Sequence, residues 1–345
     1  MKRLYQLDYL RGLAALGIFC YHYVSWTFGK PHSDTVLGRI GVYGVSIFYI
    51  LSGLTLYLVY HSKIITSTYN ILDFFKKRIF RIFPLLWLAI FSSVLISGQM
   101  PSLINLLNNL SGLFGFTNWD GYLATGAWSI GNELVFYAFF PLFIYCIYKS
   151  RNLFIVLSFL IFLVYMFFAF NVFNPNGYIN DQWRNYVNPL NQLFLFLGGI
   201  ILGYVFEKKD VSIYLVLFIF FISMCLFVFY PSGKDAISII FGWSRLVLTI
   251  SCFMICFSFY KVNIKIPKII DKILVFFGEI SYSLYLLHPI VYTIVGAILT
   301  YSSNCFLKLP TFSHLIISIF VSIVVSYLSY NYYEKPFINM AKPKT

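Results

Sequence analysis

Residues 7–26 read LDYLRGLAALGIFCYHYVSW and place two ionisable side chains, Arg11 and His22, in an apolar stretch long enough to cross a membrane. In a helix, eleven residues make about three turns and rise about 16 Å, so both side chains share one face. Asp8, three residues earlier, can hold the Arg11 guanidinium. Ionisable groups inside a bilayer are costly and mark functional sites. The structural alternative is a snorkelling arginine with a hydrogen-bonded core histidine.

The rest of the chain is equally apolar. Of its 345 residues, 60% are hydrophobic and only 11% are charged, and the mean hydropathy is +0.80. These values predict an all-α, polytopic integral membrane protein with about ten transmembrane helices in one bundle, a single domain over 1–345 and no appended soluble domain. The predicted spans are 8–28, 40–60, 79–97, 132–148, 153–171, 190–206, 212–230, 236–260, 272–300 and 311–333. The ninth is too long for one straight helix, and we expect His288-Pro289 to bend or break it.

The distribution of basic residues predicts the orientation. The net charge is +13, which in a soluble protein would indicate nucleic acid, but the positive-inside rule explains it here. Of the 25 Lys and Arg residues, 18 fall on the side of the N-terminus, five on the opposite side and two, Arg11 and Arg245, within spans. Both termini are therefore predicted to be cytoplasmic, in a plasma (inner) membrane protein. The six cysteines form no CxxC motif or Cys/His cluster, so neither a metal site nor a disulfide framework is predicted.

A second polar group lies in GAWSIGNELVFYAFFP, residues 126–141. Glu133 enters an apolar helix, and Tyr137 follows one turn later on the same face. A buried carboxylate either holds a proton unusually well or orients a neighbouring imidazole. The alternative is an acid favoured by the dipole at the start of a helix.

A third group is basic. In KKRIFRIFPLLW, residues 76–87, Arg78 and Arg81 lie one turn apart just before a span. Arginine side chains bind phosphate through paired donors. The alternative is a pair of residues that only determines topology.

A fourth group follows in GEISYSLYLLHP, residues 278–289, where Ser281, Tyr285 and His288 share one helical face. This stripe indicates a polar cavity, or polar packing between helices. Arg245 is a lone charge inside span eight, where it either counters Glu133 or contacts an anionic ligand. The small residues of GVYGVSIFYILSGL, residues 41–54, predict a close approach between helices.

Two external loops, 98–131 and 171–189, are rich in Asn and aromatic residues. Such side chains suit a sugar-binding surface, and they are equally typical of an ordinary interfacial loop.

Six blocks together resemble, in order, the acyltransferase family 3 membrane proteins, which include O-acetylases of O-antigen and other surface polysaccharides. The blocks are DYLRGLAALGIFCYH, GVSIFYILSGL, KKRIFRIFPLLW, GAWSIGNELVFYAFFP, GEISYSLYLLHPIV and YYEKPF. They cover nearly the whole chain. A mild departure is Leu134, where a second acid often stands beside Glu133, so the resemblance does not support a paired-carboxylate role.

The resemblance implies an O-acyltransferase that moves an acyl group, usually acetyl from acetyl-CoA, to a glycan or lipid-linked glycan hydroxyl, with no metal. By position, Arg11 and His22 correspond to the signature pair, Arg78 and Arg81 to the basic motif, and Glu133 to the acid.

From this we expect Arg78, Arg81 and Arg11 to bind the donor phosphates, and His22 to act as general base or to carry the acyl group. We expect Glu133 to orient His22 or to stabilise its protonated form, and a tyrosine or serine of the 281–288 stripe to stabilise the oxyanion. Tyr137, Ser281, Tyr285, His288 and Arg245 are the predicted substrate-binding residues. The rival functions are a lipid-linked glycan flippase and a polysaccharide polymerase; the low number of cations in the external loops disfavours the polymerase.

Overall fold

The computed structural model of the chain describes residues 4–64, 67–264, 266–305 and 311–342. Within these ranges every regular element is helical, which confirms the predicted all-α class. The α-helices, in order, are α1 (Tyr5–Phe28), α2 (Val36–Ile64), α3 (Thr68–Ser97), α4 (Leu103–Ser111), α5 (Phe114–Thr117), α6 (Ala127–Lys149), α7 (Arg151–Phe167), α8 (Trp183–Tyr186), α9 (Pro189–Phe206), α10 (Ile213–Phe229), α11 (Ile237–Ile240), α12 (Gly242–Lys261), α13 (Lys268–Glu279), α14 (Ser281–Cys305), α15 (Thr311–Ser329) and α16 (Lys335–Met340).

Eight helices in the described part of the chain are long and apolar enough to cross a membrane: α2, α3, α6, α7, α9, α12, α14 and α15. Of these, α7 and α15 each continue into a π-helical turn. α10 is apolar but has 17 residues. α1 has 24 residues, enough for about 36 Å, and it carries the polar groups of the opening segment. With these two, the helices match the ten predicted spans and the protein is polytopic.

The bundle has two ends. We call the end at which α1 begins and α15 finishes the terminal side, and the other end the loop side. Arg78 in the first half of α3 and Tyr60 near the end of α2 also lie on the terminal side, beside Asp8 and Tyr330. Some residues used in the sequence interpretation lie outside the described residues or have undescribed side chains: Lys2, Arg3, Lys265, Lys308, Lys344 and Cys305.

α2 and α9 pack with almost no space between their backbones. A Cβ atom added at Gly53 would stand 1.9 Å from the Phe196 carbonyl oxygen, and one added at Gly199 would stand 2.0 Å from that of Ile50. On the other face of α2, a Cβ at Gly44 would meet the Ile18 side chain at 2.6 Å. The small residues of 41–54 therefore allow close helix approach, as predicted, and they centre the bundle on α2.

Gly53→Val should prevent stable packing of α2 on α9. The obstructing atom is a backbone oxygen, so neither helix can make room by rotating a side chain. We expect a large fall in the yield of monodisperse protein in detergent and a lower melting temperature, measured by fluorescence-detected chromatography. Gly296→Val is the matched control inside a helix, because its added Cβ meets only side-chain atoms of His314 at 3.2 Å, and that ring can shift. Equal loss in both variants would contradict the close-packing interpretation.

The predicted ninth span breaks at a different place from the one expected. α13 ends at Glu279 and α14 begins at Ser281, and α14 continues through Pro289. The expectation that His288-Pro289 breaks the helix is therefore wrong. The break lies at Ile280 because α13 packs against α1, where a Cβ at Gly12 would approach the Gly278 nitrogen at 2.7 Å. Inside α14, proline costs one backbone hydrogen bond, and its helix neighbours tolerate that loss.

The two predicted external loops contact each other on the loop side. The stretch 98–131 contains α4 and α5, and α6 begins at Ala127, five residues earlier than predicted. Trp183 Nε1 donates to the Tyr122 hydroxyl at 3.1 Å, and Trp119 Nε1 donates to the Arg184 carbonyl at 2.8 Å. These bonds join the two loops into one surface above α6 and α9.

Candidate active site

A polar cavity of about 310 Å³ lies among α1, α2, α3, α6 and α14 on the terminal side. Such a volume suits part of a small-molecule ligand. Seven of the ten residues singled out in the sequence line it: Arg11, Arg78, Arg81, Glu133, Tyr137, Ser281 and Tyr285. His22, His288 and Arg245 do not line this cavity.

Arg11 is held from two sides. Its Nη1 lies 3.9 Å from an Asp8 carboxylate oxygen on the same helix, as the spacing predicted. Its Nη2 donates to Thr55 Oγ1 on α2 at 2.7 Å, and Thr55 in turn donates to the Leu51 carbonyl at 2.7 Å. The guanidinium is therefore fixed at the cavity wall instead of snorkelling along lipid.

Arg78 and Arg81 bring two further cations to the same cavity. The Arg78 guanidinium lies 5.6 Å from the centre of the Tyr60 ring, and its Nη2 donates to the Tyr60 hydroxyl at 3.4 Å. Its Nε is buried and has no hydrogen-bond partner among the described residues. A buried guanidinium N–H without an acceptor at a cavity wall indicates a site for an anionic ligand.

Glu133 is the carboxylate of this cavity. Electrostatic interactions connect it to Arg11 and Arg81, and hydrogen bonds connect it to Tyr137 and Ser52. Ser52 and the Tyr137 hydroxyl are 3.0 Å apart. Glu133 therefore balances the arginines. It makes no hydrogen bond to His22, so its action on the imidazole would be electrostatic.

The two histidines form a pair beyond the loop-side end of the cavity. His22 Nδ1 lies 2.8 Å from His288 Nε2, and the two rings are nearly coplanar, with 14° between their planes and 5.1 Å between their centroids. The Trp26 ring stacks against His22, with centroids also 5.1 Å apart. His288 is 1% exposed, whereas His22 is only half-buried. His22 is thus fixed in orientation and still accessible.

Tyr285 connects the cavity to the histidine pair. It lines the cavity, and its ring centre lies 6.4 Å from that of His288, one turn further along α14. Its hydroxyl lies 2.8 Å from Ser129 Oγ and donates to the Gly126 carbonyl at 3.2 Å. Ser281, on the same stripe, donates to the Gly278 carbonyl at 2.9 Å. The stripe therefore runs from the cavity to the imidazoles.

Arg245 lies elsewhere. It is in the first turn of α12, which begins on the loop side, and it is 5% exposed. Its Nη2 donates to the Asn191 carbonyl at 3.1 Å and also to Asn191 Oδ1, and its guanidinium lies 4.3 Å from the Tyr165 ring centre. The partner of Arg245 is therefore Asn191 and not Glu133, because the start of α12 faces away from the cavity.

Sequence reasoning missed Thr55 and Ser129, which hold Arg11 and Tyr285. Ser129 precedes Glu133 by four residues, and that spacing on one helical face was the available signal. Thr55 had no comparable signal, because small hydroxyl residues are common in membrane helices. In the described part of the chain, no group of three His, Cys, Asp or Glu side chains could hold a metal ion.

Comparisons with known proteins fit this geometry. A family model described as an acyltransferase domain matches residues 4–331. O-acetyltransferase OatA of Staphylococcus aureus is 26% identical over 363 residues, with 96% of this chain and 56% of the relative covered. The putative peptidoglycan O-acetyltransferase YrhL of Bacillus subtilis is 25% identical, with 96% and 54% covered. No solved structure matches the chain.

The chain spans a little over half the length of these relatives. The family match, in contrast, runs from the start of α1 to the π-helical turn that follows α15 and includes every residue that lines the cavity. On that match, the chain belongs to the acyltransferase 3 family.

Proposed function

We propose that this protein is a multi-pass plasma-membrane O-acetyltransferase that moves an acetyl group from acetyl-CoA to a hydroxyl of a surface glycan or its lipid-linked precursor. The observation that carries the proposal is the arginine-lined cavity ending at a tyrosine beside a histidine pair. The names of the relatives, O-acetyltransferase and putative peptidoglycan O-acetyltransferase, support the acetyl group and a glycan acceptor.

The donor enters from the terminal side. That side carries the excess of Lys and Arg, and we assign it to the cytoplasm together with both termini. Coenzyme A carries three phosphate groups, and Arg78, Arg81 and Arg11 supply three cations at the cavity wall. The unpartnered Nε of Arg78 is a donor for one of them. The thioester end of the ligand then extends towards Ser129 and Tyr285.

The reaction needs a base on the acceptor hydroxyl and a donor to the thioester oxygen. We assign the base to His22, which takes the hydroxyl proton while the hydroxyl oxygen attacks the carbonyl carbon. The Tyr285 hydroxyl, at the end of the cavity, turns its single proton from the Gly126 carbonyl to the carbonyl oxygen of the thioester and donates to the negative charge that develops there. The C–S bond then breaks, and the thiolate of coenzyme A takes from His22 the proton that came from the acceptor hydroxyl.

The acceptor reaches this point from the loop side. Gly126, whose carbonyl accepts the Tyr285 hydrogen bond, belongs to the first of the two joined loops and directly precedes α6. Their aromatic and amide side chains provide a surface of the kind that binds sugar. The acceptor hydroxyl would stand between the thioester and His22, so the base and the donor approach from opposite sides.

The test is acetyl transfer by the purified full chain in lipid nanodiscs, with acetyl-labelled coenzyme A and a surface glycan. We expect alkali-labile label in the glycan and release of an equal amount of free thiol. Label on the protein without acceptor, lost in His22→Ala, would favour a covalent acyl-histidine route over the direct one. Passage of unlabelled glycan across the bilayer without acetylation would instead support the flippase and overturn the proposal.

A further inference from the structure

The hydrogen bonds of His288 determine where its proton lies. His288 Nδ1 is 2.9 Å from the Leu284 carbonyl oxygen, and a carbonyl can only accept. The Nδ1 atom therefore carries a proton. Pro289 strengthens this arrangement, because proline has no N–H for the Tyr285 carbonyl four residues earlier. That carbonyl also interacts with the His288 ring.

A neutral His288 then presents a lone pair at Nε2. Charging either ring inside the bilayer is costly, and five aromatic rings lie against the pair: Phe19, Tyr21, Tyr23, Trp26 and Tyr285. His22 Nδ1 lies 2.8 Å from this lone pair. Two lone pairs at that distance would repel, so the proton between the rings belongs to His22 Nδ1. The free lone pair of His22 is consequently on Nε2.

Both rings are held so that this arrangement persists. The Tyr23 hydroxyl donates to the His288 carbonyl at 3.1 Å and lies 2.5 Å from Ser322 Oγ, which ties α1, α14 and α15 together. Trp26 stacks against His22 and His288, at 5.1 and 5.7 Å between ring centres. Neither imidazole can flip without disturbing this stack, so the donor and acceptor atoms keep their places.

We propose that His288 is a positioning residue that fixes His22 in the tautomer with Nε2 free and accepts a hydrogen bond from its Nδ1. This inference rests on the proposed function, and it replaces the substrate-binding role expected for His288 from the sequence. When His22 Nε2 takes the proton of the acceptor hydroxyl, Nδ1 keeps its own proton. The bond to His288 then becomes charge-assisted and stronger, which favours the transition state over the ground state.

Two substitutions separate positioning from simple packing. In His288→Gln, the amide oxygen can accept from His22 Nδ1 and the amide N–H can donate to the Leu284 carbonyl. In His288→Leu, neither bond forms. We expect His288→Leu to lower kcat by between about tenfold and a hundredfold, which is less than the whole rate acceleration that a positioned general base supplies. The KM for acetyl-CoA should stay within twofold of wild type. His288→Gln should recover most of this loss.

His314→Leu is the matched control, because His314 contacts Tyr292 near the pair without touching His22. We expect it to leave kcat within threefold of wild type. Wild-type kcat in His288→Leu, or the same loss in His288→Gln and His288→Leu, would overturn the positioning role.

Nitrogen-15 NMR of histidine-labelled protein reads the tautomer without turnover. We expect His22, identified by its loss in His22→Ala, to carry its proton on Nδ1 in wild type, and the Nε2-protonated form to appear in His288→Leu. A wild-type His22 protonated on Nε2 would overturn the inference even if acetyl transfer is normal. A wild-type proton on Nδ1 in a protein that transfers no acetyl group would support the pairing and contradict the proposed function.

Discussion

His22→Ala is expected to lower acetyl transfer by at least about a hundredfold, and by up to about ten-thousandfold, because a positioned general base supplies a factor of this size. The variant removes His22, which is the half-exposed member of the hydrogen-bonded histidine pair. His288 is too deeply buried to replace it. The measurement is the initial rate of label transfer by equal amounts of purified wild type and variant in nanodiscs. Substrate affinity should change little, since His22 does not line the donor cavity.

His61→Ala is the matched control for this variant. His61 also stacks on an aromatic ring, that of Tyr57 at 4.5 Å, and its Nδ1 bonds to the Tyr57 carbonyl at 2.8 Å. Its Nε2, however, lies 3.6 Å from a Glu207 carboxylate oxygen and not beside a second imidazole. We expect it to keep near-normal activity. Near-normal transfer by correctly folded His22→Ala would exclude both the base and the acyl-histidine route.

The double variant Arg78→Ala/Arg81→Ala is expected to raise the KM for acetyl-CoA by roughly a hundredfold or more. Each hydrogen bond between charged groups contributes about 1.5–3 kcal/mol, so losing one such bond at each of the two arginines weakens donor binding by at least two powers of ten. We expect kcat to fall much less, because neither arginine reaches the histidine pair. The measurement is transfer rate against acetyl-CoA concentration, together with direct binding of coenzyme A.

Arg184→Ala controls for the loss of a cation. Arg184 lies on the loop side, where its guanidinium is 3.8 Å from an Asp120 carboxylate oxygen and far in the fold from the donor cavity. Its KM for acetyl-CoA should stay at the wild-type value. Replacement of Arg78 and Arg81 by lysine should give an intermediate KM, since lysine keeps the charge and loses the paired donors. An unchanged KM in the double alanine variant would place the donor phosphates elsewhere.

The sequence predicted the bundle well because membrane solvation constrains it strongly. Apolar length sufficed for ten helices, and helical spacing correctly placed Glu133 beside Tyr137 and Arg11 beside Asp8. Each of these pairs is local, four or three residues apart. The small residues around Gly53 likewise indicated a close helix crossing, although not that α9 is the partner.

Partners from distant parts of the chain could not be predicted. His22 and His288 are 266 residues apart, and Arg245 finds Asn191, 54 residues away. No local pattern specifies which helices meet. From the sequence, His22 is therefore predicted as a base and His288 as a substrate-binding residue, without a contact between them. The break at Ile280 was missed for the same reason: it depends on the packing of Gly278 against α1, whereas Pro289 was the visible local signal.

The most direct measurement is a cryo-EM structure of the full chain in nanodiscs with a ketone analogue of acetyl-CoA, in which a methylene group replaces the thioester sulfur. We expect its phosphates at Arg78 and Arg81 and its carbonyl oxygen within hydrogen-bond distance of the Tyr285 hydroxyl, on the side that faces His22. An analogue bound outside the cavity, or one inside it with its carbonyl at the end away from Tyr285, would contradict the proposed path from donor to histidine.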